Sequence, residues 1–140
     1  VGQKLKIPVN MEDLSYIGER FIWPVRGRVI TGFGMRNNIP HKGIDIQASP
    51  GTLVKASRKG EIKYTGYFPQ LKNVIIIKHD DVTSTVYSNI DEVKVTIGTK
   101  VEEGEDIGTV AIKNDSKNSF LHFETRFNII AKNPLYYLEK

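Results

Sequence analysis

From Phe21 onward the chain is a succession of short β-prone runs separated by glycine, asparagine and aspartate, and no long amphipathic helix interrupts them. That rhythm predicts an all-β fold, because branched and aromatic runs of this length suit pleated, half-buried strands. Strands are expected over Phe21–Val25, Arg28–Phe33, Thr52–Ala56, Gly60–Tyr67, Asn73–His79, Val82–Ser88, Lys100–Val101 with Asp106–Ile112, and Leu121–Phe127. The run "NVIIIKH", residues 73–79, is apolar on both faces and predicts a central strand. The tight Asp80–Asp81 step after it predicts an antiparallel hairpin. In "VTIGTKVEEGEDIGTV", Gly98, Gly104 and Gly108 punctuate very short strands, as in small antiparallel sheets that close into barrel-like sandwiches. Residues 1–20, with Pro8 and room for a helical turn from Met11 capped by Asn10, read as a lead-in; 21–140 read as one domain. Because the chain begins at Val1, a processed or excised piece is expected.

Several classes are excluded early. With no cysteine there is neither a disulfide nor a thiolate metal site, so a transition metal would have to be held by His, Asp and Glu. The net charge of +4 is spread along the chain among interleaved acids, which argues against a nucleic-acid partner. A mildly basic surface suits an anionic polymer. No run approaches the roughly 20 apolar residues of a membrane span.

The stretch "HKGIDI" places His41 and Asp45 four apart around Gly43. Pro40 and Gly43 make a helix untenable there, and a straight strand would separate the two Cα atoms by about 13 Å, too far for one ion. The chain must therefore bend, and Gly43 can allow it. Taken alone, the pair is better explained as an exposed loop histidine and a turn aspartate. A third candidate lies in "SFLHFETRF", where alternation puts Leu121, Phe123, Thr125 and Phe127 on a core face and Phe120, His122, Glu124 and Arg126 on the other. Two histidines and an aspartate would leave one position of a tetrahedral zinc open. His79, at the end of a strand before a turn, reads as structural.

With "WPVRGRVITGFGMR", "HKGIDI", "GTLVKASRKGEIKYTGY", "NVIIIKH", "TVYSN", "VTIGTKVEEGEDIGTV", "LHFE" and "NPLYYL" in order, the chain resembles the lysostaphin/LytM-type zinc endopeptidases over about residues 21–138. That family cuts peptide cross-links in bacterial peptidoglycan. The resemblance implies the family's duplicated hybrid motif fold, a zinc held by His41, Asp45 and His122, and an extracytoplasmic location. It also exposes two departures. The family's two catalytic histidines would fall at Asn89 and Phe120. Asparagine cannot take up a proton near neutral pH, and phenylalanine can neither donate nor accept one. General acid–base help is typically worth about 10²- to 10⁴-fold, so little or no hydrolysis is expected.

The glycine-rich approach to the last motif is also missing in "VAIKNDSKNSF". Tyr87, Asn89, Phe120, Glu124 and Arg126 are the expected cleft lining, with Phe120 either plugging the emptied site or anchoring a ligand. The leading expectation is a non-catalytic or very weakly active domain in cell-wall remodelling. Its partner would be peptidoglycan, a cell-wall amidase or another envelope protein. The alternative is a zinc endopeptidase whose base has moved to Glu124. A biotinyl or lipoyl carrier is excluded, because no exposed lysine sits in the required hairpin motif.

Overall fold

Short alternating runs pair where their apolar faces can share one core, and here the named strands of the described residues all pair antiparallel. The computed structural model describes residues 20–36, 38–113, 115 and 117–139. The expected lead-in, with its helical turn from Met11, therefore lies outside the described residues except for Arg20. The strands are β1 (Val29–Thr31), β2 (Gly34–Arg36), β3 (Ile39–His41), β4 (Ile44–Gln47), β5 (Leu53–Lys55) and β6 (Gly60–Phe68). They continue as β7 (Lys72–Lys78), β8 (Thr83–Val93), β9 (Lys100–Val101), β10 (Asp106–Val110), β11 (Phe120–Phe127) and β12 (Ile130–Lys132). Helical structure among the described residues is a single 3₁₀ turn, Pro134–Tyr136. The all-β expectation is met.

The main sheet runs β1-β4-β11-β8-β7-β6-β9, with β12 on β11 and β10 joining β5 to β8, while β2 and β3 form a separate hairpin. One face of this sheet supplies the core. Ile44, Ile46, Ile75, Ile77, Tyr87, Leu121 and Phe123 pack there with Val54, Ile107 and Val110 from the β5–β10 arm. β7 is central between β6 and β8, as its two-faced apolar run predicts. At the turn that follows, Asp80 Oδ1 accepts from the backbone N–H groups of Val82 and Thr83.

Three differences from the expected strands have local causes. Phe21–Val25 does not join the sheet as a strand: Pro24 removes a donor, and only Phe21 makes a bridge, to Leu138. The β2–β3 hairpin, β4 and β12 are each three or four residues long, too short to show a period in the sequence. β8 runs five residues beyond the expected Ser88, because it changes partners there. It pairs with β11 as far as Ser88 and with β10 from Ile90. Asn89 sits at the fork with φ +67°.

The β11–β12 hairpin holds Asn128 and Ile129 at φ +53° and +64°. A two-residue turn of this kind favours glycine at its second position, whereas a β-branched side chain is strained there. Ile129 is also 88% exposed, so burial offers little in return. Ile129→Gly is expected to stabilise the domain by about 1 kcal/mol, read from denaturant midpoints; an unchanged or lowered midpoint would show that the turn is not strained.

Candidate functional site

Register brings the candidate ligands together. Asp45 in β4 lies directly opposite His122 in β11, so both side chains leave the sheet on the face away from the core. Ile44 and Ile46, on either side of Asp45, are fully buried on the core face. His41 ends β3, and the bend at 42–43 returns the chain into β4 within reach of both. Gly43 serves this bend differently from the expectation, which was conformational freedom. Its φ is not in the left-handed region; instead a Cβ would lie 2.2 Å from the Phe123 carbonyl oxygen. Close passage of β11 is what excludes a side chain. Gly43→Ala is expected to cost about 2 kcal/mol and to weaken metal retention, measured by denaturation and by metal content; an unperturbed protein would show that the two strands part easily.

One ligand atom from each of His41, Asp45 and His122 can be chosen so that all lie within 4.8 Å of one another. His41 Nε2 is 3.3 Å from Asp45 Oδ2, and His122 Nδ1 is 2.7 Å from Asp45 Oδ1. Ligands at about 2.1 Å in a tetrahedron are themselves about 3.4 Å apart, so small side-chain shifts would seat an ion. The remaining ring nitrogens are oriented from behind. His41 Nδ1–H donates to the Gly32 carbonyl at 2.8 Å, leaving Nε2 as the free lone pair. His122 Nε2–H donates to Glu124 Oε2 at 2.9 Å, which presents Nδ1 inward. Glu124 is held in turn by Arg126, whose Nε and Nη2 reach Oε1 at 2.8 and 2.6 Å. A carboxylate or carbonyl behind each ligand imidazole is the support that metal sites use. The group could hold a metal.

Electrostatics favour a cation here. Burial disfavours charge on His122, yet the hydrogen bonds and charges of Asp45 and Glu124 outweigh it and lift its pKa to about 9. Burial likewise acts to raise the Glu124 carboxyl, but its bonds to His122 and Arg126 prevail and hold it below its ordinary value. Glu124 is thus ionised and occupied on both oxygens. A carboxylate in that state is a poor base.

Other expected cleft residues take different places. Tyr87 is not in the cleft: it shares the inward parity of Thr83 and Thr85, is fully buried, and packs on Phe123 with ring centroids 5.4 Å apart. Its hydroxyl accepts from the Ser57 N–H at 3.0 Å and lies 2.7 Å from Thr85 Oγ1. Asn89 is 3% exposed, and its amide is turned inward. Nδ2 donates to the carbonyls of Ala111 at 3.1 Å and Phe120 at 2.6 Å, tying the two strands that diverge at the fork. Phe120 is half-buried on the His122 side of β11.

His79 stands apart from the ligands, as read from the sequence. It stacks near Phe21 and lies 2.8 Å from both the Lys59 carbonyl and Thr85 Oγ1. A groove of about 430 Å³ beside the ligands went unnoticed in the sequence; Phe33, Met35, His41, Arg126, Ile129 and Ile130 line it. It arises between the β2–β3 and β11–β12 hairpins, of whose strands only β11 is long enough to show a period in the sequence.

A two-histidine, one-aspartate cluster that could hold a metal lies on the open face of a small antiparallel β domain, the arrangement of a metallopeptidase-like fold. The chain belongs to peptidase family M23, whose profile matches residues 39–134. It is 34% identical over 122 residues to the cell division protein DipM of Caulobacter vibrioides, covering 86% of this chain and 20% of that protein. It is 37% identical over 117 residues to the murein hydrolase activator NlpD of Escherichia coli, covering 83% of this chain and 30% of that one. The structure of lysostaphin from Staphylococcus simulans superposes with a TM-score of 0.71 at 26% identity, over 83% of this chain and 52% of that one. The lysostaphin/LytM resemblance expected from the sequence is therefore met. The chain spans 20% to 49% of the length of the first curated relatives it matches.

Proposed function

We propose that this domain acts in bacterial cell-wall remodelling outside the cytoplasm without cutting peptidoglycan itself. It works by binding the wall or by activating a cell-wall amidase. The observation that carries this reading is Asn89. Asn89, which the resemblance puts at a catalytic position of the family, is neutral, buried and committed to two backbone carbonyls. Phe120, at the other position that the resemblance assigns to a catalytic histidine, offers no proton acceptor. Similarity to a murein hydrolase activator and to a cell division protein supports the same reading. The relocated-base alternative draws no support from Glu124, whose two oxygens already serve His122 and Arg126.

We further propose that His41, Asp45 and His122 hold zinc. The all-nitrogen-and-oxygen donor set and the oriented imidazoles fit that ion, which would supply Lewis acidity in an active relative. In this chain its part is structural: it ties the β3–β4 bend to β11. The functional test combines the purified domain with dye-labelled sacculi, with and without a purified cell-wall amidase of the same bacterium. Expected is no dye release by the domain alone and several-fold faster release when it accompanies the amidase. Release by the domain alone that vanishes in Glu124→Gln would instead establish an endopeptidase.

A further inference from the structure

The face that carries His122 extends well beyond the ligands. Glu124 pairs with Val86, Val86 with Ile76, and Ile76 with Tyr64, so Tyr64 lies on the same row three strands away. At about 4.8 Å per strand, that is about 14 Å along one face. Tyr64 and Phe68 both project there from β6. Their rings are nearly parallel, at 26°, with centroids 6.5 Å apart. Gly66 between them makes this possible: a Cβ at that position would lie 2.2 Å from the Tyr64 hydroxyl. The Tyr64 ring therefore lies down along the strand toward Phe68, forming a broad aromatic shelf.

The shelf is open and fixed. Tyr64 is 37% and Phe68 43% exposed, and β9 covers β6 only at Gly60 and Glu61. The hairpin tip is pinned to the rest of the fold. Asn89 N–H donates to the Leu71 carbonyl at 2.8 Å, and Lys113 Nζ donates to the Gln70 carbonyl at 2.6 Å. Lys72 stands directly opposite Phe68.

We infer that Tyr64 and Phe68 form a saccharide-stacking site for the glycan strand of peptidoglycan, an inference that rests on the cell-wall reading above. An aromatic face packs well against the flat apolar face of a pyranose ring, and rings already ordered lose little freedom on doing so. The polymer's chemistry matches the rest of the face. Its glycan carries short peptides bearing carboxylates, and Lys72 beside the shelf offers a cation to one close to the sugar. A peptide spans about 3.3 to 3.6 Å per residue, so a stem of about four residues bridges the 14 Å from the shelf to the row of Glu124 and His122. Sugar at Tyr64 and stem end near the ligand cluster then belong to one bound wall fragment.

Co-sedimentation with purified sacculi tests this, comparing the intact chain, Tyr64→Phe and the double variant Tyr64→Ala/Phe68→Ala. Expected is roughly tenfold weaker binding in the double variant with unchanged metal content, and binding near that of the parent in Tyr64→Phe. Should the double variant fold poorly, the parent protein is titrated with an N-acetylglucosamine hexamer while the ring resonances of Tyr64 and Phe68 are followed. Shifts confined to those rings support the site, and unmoved rings overturn it. Equal pelleting of a folded double variant also overturns it, as does binding to phosphatidylglycerol vesicles in place of sacculi. Amidase activation is measured on the same double variant. Normal activation with normal pelleting removes the shelf alone and leaves the cell-wall reading standing; no activation and no pelleting by the parent chain removes both.

Discussion

Chelation of the zinc-loaded domain is expected to lower its melting temperature, and His122→Ala to abolish that response. A metal that binds the folded chain and not the unfolded one stabilises by RT ln(1 + [L]/Kd), about 3 to 4 kcal/mol at a hundred to a thousand times Kd. The candidate ligands come from β3, β4 and β11, so a bound ion would join segments far apart in sequence that only the folded chain brings together. Elemental analysis should find near-stoichiometric zinc in the parent and none in His122→Ala. A melting temperature indifferent to chelator, with no metal in either protein, would leave the triad as a relic and sink the structural role proposed for zinc.

Acid is expected to destabilise the domain through His79, by about 3 kcal/mol in total between pH 6.5 and pH 4. Burial is the main cause of its low pKa. It drives the pKa from the ordinary 6.5 to about 4, with the Arg58 charge adding to it and with the Lys59 carbonyl and Asp80 opposing. A folded-state value below the unfolded one means that the neutral ring contributes fully above pH 6.5. That contribution is lost as pH falls through the window, because the unfolded chain takes up the proton first. Nδ1 lies 2.8 Å from the Lys59 carbonyl and Nε2 2.8 Å from Thr85 Oγ1, so the ring is held in place on both sides. Denaturation midpoints of the parent and His79→Asn should converge as pH drops from 7 to 4.5. Chelator is kept present, so that metal release does not contribute. Parallel pH profiles would assign the acid sensitivity elsewhere.

What the sequence determined by itself follows from local geometry. A period of two fixed the two faces of β11, and with them the core positions of Leu121 and Phe123 and the outward set of His122, Glu124 and Arg126. The proline and glycine of "NNIPHKGIDI" ruled out a helix and required a bend between His41 and Asp45, which the structure contains. The type of residue at 89 and 120 was likewise legible, because losing an imidazole is a matter of chemistry rather than of position.

Only the tertiary structure decided how those residues are employed. Whether Asn89 faces a ligand or braces the fold depends on β8 leaving β11 for β10 at that point, a choice made between strands distant in the chain. Tyr87 was misplaced in the cleft because the strand's parity alone does not say which face is covered; contact with Phe123 and Ser57 does. Gly43 is small because β11 passes over it, and Glu124 is unavailable as a base because Arg126 and His122 hold it. Periodicity is set by each residue's own backbone dihedrals. Register, strand forks and close passages are set by pairing across the sheet, and that information is spread over segments tens of residues apart.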